Sequence, residues 1–246
     1  GTPQVSGPAP DAVAAGLEAV ILYHSTLPRM AVAILAGAAL GLAGALLQRV
    51  LRTPLAEPST LGISAGAQLA MTAAAIHAPW LMEAGREAVA LAGGLAAVAL
   101  ILALTWRRGL EPVAVVLAGM MVALTATTGS AAIVLANGEY LFSLFLWGGG
   151  SLAQQGWGPT LAIAGRLAFG AAAALLLARP LAILGLDDAR ARGLGLAVGT
   201  TRLAVIGVAV WLAATVTAEV GVIGFVGLAA PALARMSGVR SPGRRL

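Results

Sequence analysis

Seven long apolar segments constrain this chain more than any other feature of its sequence. They lie near residues 29–48, 59–78, 88–106, 112–135, 159–178, 203–218 and 220–236. Most approach the ~20 residues that a helix needs to cross ~30 Å of hydrocarbon. A backbone in lipid must satisfy its own hydrogen bonds, and segments of this length do so as helices. The fold class expected is all-α, a polytopic transmembrane helical bundle. Charge agrees: only 10% of the 246 residues are charged, against roughly 25% in soluble domains. An ordinary water-soluble globule is excluded. The segments are rich in Ala and Gly, which lets helix backbones approach closely in lipid. The run GAALGLAG, residues 37–44, is read as generic tight packing of this kind.

The last two segments are divided at Glu219. Arg202 and Arg235 lie 33 residues apart, about 50 Å of helix and too long for one crossing. Gly221, Gly224 and Gly227 ease a turn there, and a re-entrant hairpin is the competing reading. With seven spans, twelve arginines fall on one side against Glu57, Glu111, Asp187 and Asp188, a net of +8. The other side holds Arg29 and Arg86 against six acids, a net of −4. This asymmetry places the first residues outside and the last inside. An odd count with an external start leads to the expectation of at least one earlier span. Arg166 lies within the fifth segment, where a charge is costly. It is expected to snorkel outward, with a place on a pathway as the alternative.

The residue inventory excludes several chemistries. All 15 basic residues are Arg, so a phosphate-cradling GxxxxGK[ST] loop is impossible. There is no Cys, and the two histidines, His24 and His77, are far apart, so no metal site is expected. No nucleophile–base set, paired carboxylates within a span or chain of intramembrane acids suggests catalysis or ion-coupled transport. The sequence pI near 11.2 follows from loop arginine on one side of a membrane, and no nucleic-acid partner is expected.

Three inter-span segments stand apart from the apolar runs. Residues 48–68, inner, are broken by two prolines. Residues 137–157, outer, carry an apolar stretch too short to span, with Tyr140, Trp147 and Trp157 as a candidate aromatic belt. Residues 184–202, inner, contain DDARARGLG, which reads as a short helix opened by Asp187 and Asp188 and closed at Gly193 or Gly195. A charged helix of this kind is either a docking surface or a solvated connector.

Leu27–Pro28–Arg29, followed by AGAALGLAGALLQRVLRTPLAEPSTLGISAGA, resembles the iron-siderophore and vitamin B12 permeases of bacterial ABC importers. FLWGGGSLAQQGW, LGLDDARARGLGL and GVIGFVGLAAPALAR resemble further family motifs, in the family's order along nearly the whole chain. Among the family's branches, the sequence most resembles the ferric-hydroxamate one. Thr53 stands where Asn is usual, Thr26 where a second external Arg is frequent, and Ala232 where many members have His after the proline.

The resemblance implies a vitamin B12 permease-like fold. About seven of an expected ten spans are present, and residues 1–246 form one partial transmembrane permease domain lacking its first span and last two. It implies a non-enzymatic, multi-pass subunit of the bacterial inner membrane that moves a ferric hydroxamate siderophore by alternating access. ATP is then used by a separate ATPase subunit, and this chain binds no cofactor. The implied partners are that ATPase, a periplasmic substrate-binding protein, a second permease half (a homodimer or a fused pseudo-dimer) and the lipid bilayer. Leu186, Asp187, Asp188, Ala189, Arg192, Gly193, Leu194 and Gly195 match the ATPase-coupling loop. Arg29 matches a residue that docks the binding protein. Thr53, Glu111, Pro112 and Val113 match the region of the cytoplasmic gate. Another ferric siderophore or vitamin B12 as cargo, an ATP-independent channel or carrier, and a membrane scaffold are the alternatives.

Overall fold

The computed structural model describes residues 20–106, 112–137, 150–152, 156–185 and 188–237, apart from the side chains of residues 83, 84, 112 and 188. Among the described residues there are nine α-helices and no strand. A π-helical turn, Leu22–Thr26, leads into α1, Leu27–Leu51. Then come α2, Ile63–His77; α3, Pro79–Thr105; and α4, Pro112–Ala136. After them follow α5, Gly158–Leu176; α6, Ala178–Leu184; and α7, Asp188–Gly193. The last are α8, Val198–Val220, and α9, Val226–Met236. Pro28, Pro79, Pro112 and Pro159 each sit in the first turn of a helix, where a missing N–H costs nothing.

Five helical stretches are long and apolar enough to cross a membrane: Leu22–Leu51, Gly85–Thr105, Val113–Ala136, Gly158–Leu176 and Val198–Val220. The two other expected segments are shorter helices. The segment near 59–78 yields α2 with 15 residues, about 22 Å long, and the last yields α9 with 11, about 16 Å. The physical reason is at their starts. Pro54 and Pro58 hold residues 53–62 out of helix, and α8 ends at Gly221, whose φ of +84 is one that glycine adopts readily. The apolar character runs through both breaks, so segment length overstated the helix. Large apolar side chains such as Leu135, Leu176, Ile34 and Met121 lie exposed, an arrangement suited to lipid and unsuited to water.

The helix ends sort into two layers. At one end, the starts of α1 and α5 meet: Gly156 N–H donates to His24 O (3.0 Å), and the Tyr23 and Trp157 rings lie 5.8 Å apart. At the other, Leu51, Leu61, Val98, Ile101, Val115 and Ile206 line one small apolar pocket, joining the ends of α1 and α3 to the starts of α4 and α8. This alternation matches the sidedness read from the arginines. The central helix is α8, with 61% of its most apolar window buried against 22% for α5. Val205, Ala209, Val210, Ala213 and Val220 are fully buried along it.

Small residues set the close crossings. A Cβ on Gly66 of α2 would sit 2.7 Å from Gly93 O of α3, and one on Gly93 would strike Gly66 O. The run at 37–44 has a more specific use than generic packing. Gly41 faces Ala230, and any side chain on Gly44 would collide with the backbone of Gly227. Those glycines seat α9 directly on α1.

Arg166 does not simply reach for water. Its Nη2 lies 2.8 Å from Glu87 Oε1 on α3, and its Nη1 lies 3.1 Å from Glu219 Oε1 on α8. Trp211 Nε1 donates to the Arg166 carbonyl at 3.3 Å. One arginine therefore ties three spans near the outer end, where neither acid nor base is left alone.

Candidate coupling and gate site at the inner end

The inner end of α1 carries a chain of polar contacts in an otherwise apolar molecule. α1 stops at Arg52, whose φ of 51 is left-handed, a conformation a non-glycine residue adopts at some cost. Its Nη2 donates to Leu184 O, the last residue of α6, at 3.0 Å. Residues 53–62 then form a compact loop. Thr60 Oγ1 accepts from Glu57 N (3.1 Å) and donates to Glu57 O (3.0 Å). Leu61 N donates to Glu57 O, Gly62 N to Ser59 O and Ile63 N to Pro58 O, all within 3.0–3.1 Å. Gly62 ends the loop with φ +65, and the Thr60 carbonyl rests against Gly119 of α4, where a Cβ would be 2.6 Å away.

Glu57 is the chemical centre of this loop. It is 2% exposed. Its Oε1 accepts from Phe225 N (3.3 Å) and from Ser59 Oγ (2.5 Å), and its Oε2 accepts from Leu228 N (3.1 Å). Phe225 and Leu228 stand at the start of α9, so the carboxylate accepts from backbone N–H groups of a helix N-terminus; Leu228 N shares its hydrogen with Phe225 O at 3.2 Å. A negative charge there also complements the helix dipole. Nearby, buried Gln48 donates to Gly227 O (3.5 Å) and accepts from Arg235 Nη1 (3.1 Å).

The residues matching the coupling loop follow Leu184 in the sequence. The expected short helix is present as α7, Asp188–Gly193. Ala191 is fully buried and anchors it, while Ala189, Arg192, Gly193, Leu194 and Gly195 are exposed. Gly195, at φ +79, closes the turn by donating to Arg192 O at 2.9 Å. Leu186 and Asp187 lie outside the described residues, as does the side chain of Asp188.

Of the expected gate residues, Thr53 is half-buried, and its Oγ1 accepts from Leu55 N at 3.4 Å. Val113 is exposed in the first turn of α4, two residues before Val115 of the shared inner pocket. Glu111 and the Pro112 side chain lie outside the described residues. Arg29 is half-buried in the first turn of α1, at the opposite end. Residues 138–149, with Tyr140 and Trp147, also lie outside the described residues.

Sequence reasoning passed over Gln48, Arg52, Glu57 and Arg235, treating the arginines as markers of orientation. The available signal was polarity out of place. A Gln in a span and a Glu between prolines are costly in a lipid setting unless something bonds them.

Comparisons with known proteins agree with this arrangement. The FecCD transport family matches residues 8–244. Over 91% of the chain it is 42% identical to the iron(3+)-hydroxamate import system permease protein FhuB of Escherichia coli, covering 34% of that protein. It is 37% identical to the ferric enterobactin permease FepD of the same organism, over 89% of the chain and 66% of FepD. A solved structure described as an inward-facing conformation of a metal-chelate type ABC transporter superposes with a TM-score of 0.73 at 26% identity, over 90% of this chain and 72% of that one. These matches, with the helical bundle, define a polytopic membrane domain similar to the permeases of ABC importers. The chain belongs to the FecCD transport family and is a multi-pass membrane protein of the bacterial inner membrane. It spans about a third of the length of the two FhuB proteins it matches.

Proposed function

We propose that this chain is the transmembrane permease domain of a binding-protein-dependent importer that carries a ferric hydroxamate siderophore inward. One observation carries the cargo: 42% identity over 91% of the chain to the FhuB hydroxamate permeases of two bacteria, against 37% or less for the enterobactin and citrate permeases. In this reading the chain binds no cofactor and makes or breaks no covalent bond. ATP is bound and hydrolysed by a separate ATPase that docks on the exposed face of α7 through Ala189, Arg192, Gly193, Leu194 and Gly195, with Leu186, Asp187 and Asp188 beside them. A periplasmic binding protein docks at the opposite end, where Arg29 supplies positive charge. A second permease half completes the pathway. The gate is formed around Thr53, Glu111, Pro112 and Val113. Alternating access follows if the ATPase moves α7 and the inner ends of the spans respond.

The test is uptake of radio-iron ferrichrome by proteoliposomes holding the full-length protein, its ATPase and its binding protein. Uptake that requires ATP and the binding protein, and that ferric enterobactin does not compete away, is the expected result. Equal uptake without ATP would refute the importer reading. Preference for the catecholate complex would refute the cargo.

A further inference from the structure

We propose that Arg52 and Glu57 are positioning residues that link the segment at 184–195 to α9, so that displacement of the ATPase-facing helix moves the start of α9. The inference rests on the importer reading, and goes beyond it by naming the route that movement takes.

Among the described residues the route runs from Leu184 to the start of α9. α6 ends at Leu184, whose carbonyl accepts from Arg52. Arg52 is the hinge residue from which the loop departs. The loop is stiff: Pro54 and Pro58 fix φ at two positions, and Thr60 Oγ1 closes a ring of hydrogen bonds around Glu57. A displacement at Arg52 is passed on by such a loop with little loss to internal flexing. At its far side Glu57 grips two backbone donors of α9. α9 is joined to α8 through the non-helical residues 221–225, so its start can shift relative to α8 without bending a continuous helix. Among the described residues, only Arg52 and Phe225 are non-glycine residues with positive φ. One stands at each end of this route. Strained backbone of this kind persists where the surroundings over-determine it, often at moving or functional parts.

A stabilising role alone predicts something different from a linking role. A stabilising contact, once removed, lowers assembly, uptake and hydrolysis together. A link, once cut, leaves hydrolysis running while cargo fails to follow. The experiment therefore reads ATP hydrolysed per iron imported, in proteoliposomes of the full-length permease with its ATPase and binding protein and radio-iron ferrichrome as the probe. The variants are Arg52→Ala, Arg52→Lys, Glu57→Ala, Glu57→Gln and the double Arg52→Ala/Glu57→Ala.

The expected result is a roughly tenfold rise in ATP per iron for Arg52→Ala and Glu57→Ala, with hydrolysis within about twofold of wild type. Arg52→Lys, which keeps a cationic donor, recovers most of the coupling. The double variant is no worse than the poorer single, because both cut one chain. A ratio equal to wild type in either alanine variant, parallel loss of uptake and hydrolysis, or multiplicative losses in the double would each overturn the link. Should Glu57→Ala not assemble, Glu57→Gln and Arg52→Ala decide by the same ratio. A wild-type complex that imports nothing at the expense of ATP would bring down the importer reading, and this inference with it. Normal wild-type import with unchanged ratios in the variants removes this inference alone.

Discussion

Replacing Arg166 with Met should destabilise the bundle by stranding two carboxylates. At separations near 3 Å and an effective dielectric constant near 20, each ion pair has a gross attraction of about 5–6 kcal/mol. Desolvation takes back most of that, and loss of one partner in a buried pair typically costs about 3–5 kcal/mol. The cluster lies near the outer end of its spans, and the Arg166 and Glu87 side chains are 25% and 39% exposed, so it is incompletely desolvated. A net loss of about 2–3 kcal/mol is expected after that screening. In a chain of this size such a loss lowers Tm by roughly 4–12 °C. Thermal unfolding of the purified protein in a mild detergent, followed by tryptophan fluorescence, measures it. Exposed Arg190→Met serves as the control and should shift Tm little. The triple variant Arg166→Met, Glu87→Gln, Glu219→Gln should recover at least half the loss, because no carboxylate is then left without a cation. If the triple is less stable than the single, or if Arg166→Met behaves like the Arg190 control, the cluster does not hold the three spans together as reasoned.

Three further outcomes follow from named contacts. Gly44→Leu should cost at least the ~1–3 kcal/mol of an overpacked site, because its Cβ meets the rigid backbone of Gly227; Gly37→Leu, with nothing within 4 Å, should be near neutral in the same unfolding measurement. Changing Arg192 and Gly193 together should abolish uptake and the stimulation of ATP hydrolysis while membrane insertion is unchanged; uptake at the normal rate would remove the docking role of α7. Arg29→Glu should weaken binding-protein capture in a pull-down at low salt, with the difference shrinking as salt is added; equal capture at low salt would rule out that contact.

Much of the scaffold was legible because lipid imposes simple rules. Length and apolarity located α1, α3, α4, α5 and α8, and arginine placement oriented them. Local chemistry located α7, where two successive acids mark the start in sequence and glycines the end. Two things were not legible. The prolyl break within 48–68 was read, but the apolar run near 59–78 set the helix start too early, because Leu61, Ile63 and their neighbours are apolar whether helical or not. The role of Glu57 depends on donors that lie 168 and 171 residues further along the chain. No periodicity or composition window reaches that far, and only the fold brings Gly227 against Gly44. Arg166 could be recognised as misplaced in a span, yet its partners on α3 and α8 could not be named from spacing.

The same long separation bears on biogenesis. While the chain is being threaded into the membrane, Glu57 is made long before Phe225 and Leu228. Until α9 arrives, that carboxylate has no backbone donors to meet and is better left in water at the membrane surface. The loop at 53–62 therefore seats late, after α8 has been inserted, and the seating of α9 and the burial of Glu57 are one event. Chains interrupted before residue 225 should expose this loop to protease from the inner side, and completed chains should protect it.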